Sequence, residues 1–348
     1  MTNKSTYLFL WFLFIKLSMV AFAVTVFGEM TKLGDSRDYL SGMYVVRDDV
    51  TSPAYLMSVI GIGLYSILGS EFLVYSIFAF LGAYSLTALI VKANLPRASN
   101  IIVILGLSSP SFTMWSSILS KEAIVLIATC VFLIDLINID CRARRSLTFW
   151  GTMSLFVLCW FKLYYAPIYI SFLIITLLNR NSTYNRQNYI FLFGASVVLI
   201  GITFSIGFAG LVVDEMPKHF STDGGSTRQN DFWNSSIDFF VYLPIGSLIS
   251  FVGPTIGEVY DKPFLLIVFL ESLILILLII SLFQANYTRL VFKKHILILV
   301  FFVFFGFLFV HYPFGIFNQG SAIRYRTNFL LFMFVYFAHL LRLNKTTN

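Results

Sequence analysis

Charge is scarce in this sequence. Asp, Glu, Lys and Arg make up 12% of its 348 residues, against about a quarter in a soluble globular domain. Apolar residues make up 58%, mean hydropathy is +0.84, and the 39 Phe lie mostly in long apolar runs. These runs approach the roughly 20 residues that cross a ~30 Å hydrocarbon layer. A soluble fold is excluded, and an all-α polytopic integral membrane protein is expected. Cysteine is scarce too: Cys130, Cys141 and Cys159 have no metal-ligand spacing, which leaves them as packing residues. No GxxxxGK[ST] or GxGxxG follows a strand-like run, and no loop on the basic side is large enough for a soluble nucleotide-binding domain. The net charge of +7 resides in residues between apolar runs, so it reads as membrane orientation and not as nucleic-acid binding.

The apolar runs predict about ten transmembrane helices, near 7–27, 72–91, 98–117, 123–139, 147–161, 163–178, 189–211, 263–284, 296–312 and 327–341. The first run resembles a signal peptide around Ala21-Phe22-Ala23, but it is longer than a signal core and carries Lys16, so it is taken as helix 1. Residues 54–68 and 237–252 are short, and are assigned as two interfacial helices. This arrangement makes 1–348 one transmembrane domain with outer loops at about 28–71, 212–262 and 313–326. It places the Arg142/Arg144/Arg145 cluster and both termini inside, as the positive-inside rule prefers, and gathers 14 of the 17 acids outside. The acid-rich outer side is therefore where polar chemistry is expected.

Four outer stretches carry reactive groups. The loop Gly34-Asp35-Ser36-Arg37-Asp38-Tyr39 holds two carboxylates, a guanidinium and a phenol where helix 1 reaches water. Asp35 there could accept a proton and Arg37 could grip phosphate oxygens; the same residues also suit a solvated loop with an internal ion pair. Lys121-Glu122 follows Ser108-Ser109-Pro110 and Trp115, the signature of a broken helix end. Lys121 would contact a diphosphate, and Glu122 would act as a base or as an anchor for Lys121. Arg324-Tyr325-Arg326 sets two arginines outside the last helix, against the positive-inside tendency; they would bind phosphates of a substrate or of lipids. His311 is a weaker base candidate, more in keeping with a hydrogen-bonded structural histidine. The loop from Val213 to Asp238 contains Asp223-Gly224-Gly225-Ser226 and reads equally as a lid or as solvated chain. Its Asn234-Ser235-Ser236 matches a glycosylation pattern that is frequent by chance. Within the membrane, Lys16 and Glu271 are expected to pair, or to line a proton or ion path.

With these residues in view, the chain resembles the polytopic GT-C-type glycosyltransferases and the Wzy-type O-antigen polymerases. Three features carry the resemblance: the Gly34-Asp35 loop; Ser52-Pro53-Ala54-Tyr55 with its interfacial helix and Leu68-Gly69-Ser70-Glu71; and the outer arginines Arg324 and Arg326. It covers most of the chain in topology and only a few residues in motif. It implies a bacterial inner-membrane enzyme that works at the periplasmic face in lipopolysaccharide or related surface-polysaccharide synthesis. Its substrate would be a polyprenyl-diphosphate-linked glycan, with membrane lipids around it and a chain-length regulator and a flippase as partners. Asp35 or Glu122 would be catalytic; Arg37, Lys121, Arg324 and Arg326 would clamp the diphosphate; Asp38, Tyr39 and His311 would add contacts. The first-loop pair is Asp-x-x-Asp, unlike the Asp-x-Asp of metal-dependent members, so no metal or other cofactor is expected.

Two alternatives stand beside the polymerase. A GT-C transferase adding one sugar from a polyprenyl-monophosphate donor would share the architecture. A non-enzymatic transporter of lipid-linked glycans should show repeated halves and broken helices at mid-membrane; the sequence has no internal repeat, and only Lys16 and Glu271 lie deep.

Overall fold

The computed structural model describes residues 3–30, 33–181, 208–220, 226–228, 232–285 and 294–342. Among these the fold is all-α, with one isolated bridge between Thr227 and Asn318. Four helices are long and apolar enough to cross a membrane: Asn3–Met30, Glu71–Ala93, Lys121–Asp140 and Pro263–Gln284. The pair Phe149–Phe161 and Leu163–Leu177 makes a fifth if counted as one broken span, bent by 117° at Lys162. The expected hairpin over 147–178 therefore exists as two helices, while 189–207 of the expected seventh span lie outside the described residues.

The helix Lys121–Asp140 sits at the centre. It packs against the helices 71–93, 149–161, 166–181 and 327–331, and most of its side chains are buried. Its start is fixed by Ser120, which is extended and accepts a hydrogen bond from the Ala123 amide at 3.2 Å. Lipid tails are as apolar as the helices, so association here depends on close packing. The aromatic residues supply it: Phe172 stacks on Phe332 with centroids 4.9 Å apart, and Phe307 meets Phe332 at 5.0 Å. By contrast, Leu266, Ile267, Leu270, Ile274 and Leu277 of the 263–284 helix are exposed, the expected state of a lipid-facing stripe.

Two boundaries differ from the sequence expectation, both for local reasons. The span expected over 98–117 is a helix Arg97–Leu107 followed by a separate short helix Pro110–Trp115. Pro110 forces Ser109 out of the helical region, to φ −60° and ψ 140°. The turn expected over 313–326 is mostly helical. The helix Lys294–Phe317 runs through Pro313, and Gln319–Tyr325 follows after a single extended cap, Asn318.

The short helix Pro110–Trp115 is clasped at both ends by charges from distant segments. At its start, Glu271 accepts hydrogen bonds from the Ser111 amide at 3.1 Å and the Ser111 hydroxyl at 2.5 Å. At its end, Lys16 donates to the Ser116 carbonyl at 3.1 Å and the Ser116 hydroxyl at 2.5 Å. An anion at a helix start and a cation at its end match the helix dipole. Contrary to the sequence expectation, Lys16 and Glu271 thus do not pair with each other. Each satisfies backbone groups freed by the break.

The 33–69 segment is equally well pinned. The helix Pro53–Leu68 begins at Ser52, whose hydroxyl accepts from the Ala54 and Tyr55 amides at 3.1 and 3.2 Å, and it ends at Gly69 with φ 65°. It packs against the helix Ser36–Ser41 through Gly61, where an added Cβ would stand 2.7 Å from the Tyr39 carbonyl oxygen. Loop and helix therefore touch backbone to backbone, which fixes the height of the Asp35 loop.

Candidate functional site

Four side chains remote in sequence meet at the start of the central helix. Glu122 is buried, and its two oxygens are divided between two cations. Lys162 donates to Oε1 at 2.8 Å and Arg324 Nε donates to Oε2 at 2.9 Å. The other arm of Arg324, Nη2, reaches Asp35 Oδ2 at 3.3 Å. Asp35 also accepts hydrogen bonds from the Tyr39 and Tyr44 hydroxyls, both at 3.3 Å. The cations rest on aromatic faces: Lys162 lies 4.4 Å from the Tyr325 ring centroid, and the Arg324 guanidinium 5.5 Å from that of Trp115.

The backbone makes this convergence possible. Lys162 stands at the break of the 149–177 pair, with φ −137° and ψ 61°, so the bend turns its side chain inward. Arg324 occupies the last turn of the Gln319–Tyr325 helix. Gly34 has φ 56°, and an added Cβ there would lie 2.7 Å from Arg324 Nη1. Glycine before Asp35 thus serves two demands at once, the left-handed turn and the approach of the guanidinium.

The two carboxylates differ in how tightly they are held. The Glu122 side chain is 0% exposed and Asp35 is 34% exposed. Glu122 has short bonds to two cations, whereas Asp35 has three long ones. Burial works against the charge on Arg324, but Glu122 and Asp35 outweigh it and hold the guanidinium firmly protonated. Burial, then the charge of Asp35, pushes the Tyr44 phenol up to about 12, and the same causes raise Tyr39. Both phenols therefore remain donors to Asp35 at neutral pH.

Other sequence candidates fall in different places. Lys121 lies beside the cluster, half-buried, and has no ion-pair partner within 4 Å among the described residues. Asp38 adds its charge next to Tyr44. Arg37 is tied elsewhere, donating to the Gly28 carbonyl at 3.0 Å and to Glu71 at 3.3 Å. Arg326 does not share the site with Arg324. Residues two apart on a helix point about 200° apart, and Arg326 is buried against Glu271 at 3.1 Å, Ser111 at 2.8 Å and Ser272 at 2.5 Å. His311 is buried as well, with Nε2 3.0 Å from the Ser250 carbonyl oxygen and Nδ1 3.5 Å from the Tyr165 hydroxyl. It is held by structural partners and shares no hydrogen bond with the cluster among the described residues.

Two residues escaped the sequence reading. Lys162 reads as a hairpin turn, yet it completes the cluster; its one signal is a lone charge inside 34 nearly uncharged residues, 146–179. Arg228 lies in Arg228-Gln229-Asn230-Asp231 of the loop that reads as a lid or solvated chain, and the sequence assigns it no role of its own. It grips Glu258 with Nε and Nη2 at 2.8 and 2.9 Å and donates to the carbonyls of Gly315, Ile316 and Gly253. Residues 226–228 of the expected lid are thereby fastened to the 313–319 segment, with Arg228 N bonded to the Phe317 carbonyl at 2.7 Å. Residues 221–225 and 229–231 of that loop lie outside the described residues. Asn234-Ser235-Ser236 forms the start of the helix Ser236–Val241, capped by Ser235 and Asp238.

No protein-family model, curated protein or solved structure matches the chain.

Proposed function

We propose that the chain is a membrane glycosyltransferase that polymerises polyprenyl-diphosphate-linked oligosaccharide units into O-antigen or a related surface polysaccharide. In this reading it has about ten spans and two interfacial helices in a bacterial inner membrane, with both termini cytoplasmic and the Asp35–Glu122–Lys162–Arg324 cluster at the periplasmic face. The observation that supports it best is the cluster itself: two cations anchored by a buried carboxylate, beside a second carboxylate one-third exposed. A phosphorylated lipid carrier needs cations where the bilayer meets water, and a hydroxyl acceptor needs a base next to them.

The reaction follows from these parts. The acceptor hydroxyl oxygen forms a bond to the donor's anomeric carbon. The bond from that carbon to the diphosphate oxygen breaks, and its electron pair leaves on the diphosphate. Arg324, Lys162 and Lys121 stabilise that charge as it develops. Asp35 takes the hydroxyl proton. Glu122, with both oxygens bonded to cations, positions Arg324 and Lys162. Arg37 and Arg326, which sequence alone joined to the clamp, hold structure instead.

A deletion strain tests the reading by gel profile of its surface polysaccharide. Loss of the ladder with the single-unit product retained supports a polymerase. Shortening of the unit by one sugar would replace it with the single-sugar transferase. Lipid-linked substrate stranded on the cytoplasmic side would replace it with a transporter.

A further inference from the structure

The four charges of the cluster cancel: Asp35 and Glu122 against Lys162 and Arg324. An incoming diphosphate therefore meets cations whose charge is already balanced by internal carboxylates, Arg324 through Nε and Nη2 and Lys162 through one of its three donors. To take the Nη2 edge of Arg324 it competes with Asp35. Glu122 is the harder to move, because it is fully buried, sits in the first turn of the central helix and is held by bonds of 2.8 and 2.9 Å. Asp35 is the easier. It is one-third exposed, its contact to Arg324 is 3.3 Å long, and it follows a glycine at φ 56°. A pair one-third open to water on its carboxylate side is screened and weak beside the buried Glu122 pair, so a ligand bearing two phosphates can outcompete it.

We propose that Asp35 is a displaceable internal ligand of Arg324: a lipid-borne diphosphate enters by taking its place on the guanidinium, and the same exchange frees Asp35 to receive the acceptor's proton. The ligand's lipid nature rests on the function proposed above; the exchange itself rests on the geometry. Lys121, lying beside the cluster without an ion-pair partner among the described residues, supplies the charge that makes the exchange favourable. A carboxylate released from a cation turns a free oxygen toward the acceptor hydroxyl, whereas a paired one has that oxygen occupied. Donor binding would thus switch on the base only when there is a donor to use, and an idle site would keep Asp35 engaged. Tyr39 and Tyr44, both bonded to Asp35, retain the carboxylate near the site after it leaves Arg324.

The test is a binding measurement that involves no sugar. Farnesyl diphosphate and inorganic pyrophosphate are titrated into the full chain in detergent. Removing the internal competitor should raise affinity although it removes the base, so Asp35→Asn is expected to bind both probes about fivefold to tenfold more tightly, the equivalent of roughly 1 kcal/mol. Asp49→Asn, which removes the same charge from an exposed position later in the outer loop, controls for long-range electrostatics and should change affinity less than about twofold. Unchanged or weaker binding by Asp35→Asn, or equal tightening by Asp49→Asn, overturns the exchange. Arg324→Gln should weaken binding at least tenfold. Lys121→Gln, which breaks no ion pair among the described residues and so preserves the fold, should weaken it severalfold; unchanged binding by Lys121→Gln also counts against the proposal. Tighter binding of farnesyl diphosphate than of pyrophosphate supports a lipid-borne ligand, and equal binding removes that part. Tightening by Asp35→Asn in a chain whose deletion leaves the polysaccharide ladder intact would keep the exchange and discard the polymerase. A lost ladder with no tightening would do the reverse.

Discussion

Arg324 and Arg326 stand two residues apart, yet share no hydrogen-bond partner among the described residues: Arg324 bonds Glu122 and Asp35, and Arg326 bonds Glu271, Ser111 and Ser272. One arginine faces the cluster and the other locks the broken helix to the 263–284 span. Breaking a buried ion pair from one side leaves an uncompensated charge and costs about 3–5 kcal/mol. Arg326→Met should therefore lower the melting temperature in detergent sharply, and so should Glu271→Leu. The double variant should recover much of the loss, because neither charge is then stranded. Additive losses would mean that the two residues stabilise the fold independently.

Gly34→Ala tests the link between loop geometry and chemistry. The left-handed backbone costs a non-glycine residue about 1–2 kcal/mol, and the new methyl would press on Arg324 Nη1 from 2.7 Å. Global stability should fall by no more than that strain. Under the function proposed above, polymer synthesis should fall by tenfold or more, since the Asp35–Arg324 contact is opened. Normal synthesis by a folded Gly34→Ala protein would separate the glycine from the site.

Glu122 and Lys162 should not be equivalent, although each is half of one ion pair. Lys162→Met leaves Glu122 paired with Arg324, so the expected cost is about 1–3 kcal/mol. Glu122→Gln strands Lys162 and leaves Arg324 with only its 3.3 Å contact to Asp35, the two cations being 11% and 12% exposed, and should cost about 3–5 kcal/mol. Chemical denaturation of the two purified variants reads the difference. Equal losses would mean that Arg324 does not depend on Glu122.

The legible parts of this molecule were those governed by local rules. Ser52-Pro53 and Gly69 mark the ends of the 53–68 helix because capping and left-handed backbone are properties of a few neighbouring residues. Pro110 announced the break after Leu107 in the same way. What could not be read was which distant charges meet. Lys16 and Glu271 look alike in sequence, each a lone charge in an apolar run, and pairing them was reasonable on energetic grounds. Their actual partners, Ser116 and the Ser111–Arg326 pair, depend on how the helices stack, which apolar runs of similar composition do not specify. Lys162 was hidden for the same reason: only the 117° bend brings it to Glu122.

The segment around Arg228 should carry its own pH dependence. Glu258 is partly buried, which opposes its charge, but the bidentate bond from Arg228 and the amide of Thr255 prevail and hold its carboxyl below the usual glutamate range. A carboxyl with a depressed folded-state value stabilises the fold above its unfolded value, and that contribution fades as pH falls through the folded one. Protection from hydrogen exchange at Arg228, whose amide bonds the Phe317 carbonyl, should accordingly decline on acidification below the ordinary glutamate value. Glu258→Gln should lose part of that protection already at neutral pH and show little further change with acid. The core helix 121–140, which does not touch Arg228, should respond in neither protein over the same range. Identical pH profiles for Arg228 in the native chain and in Glu258→Gln would show that another group fastens the segment to the 313–319 turn.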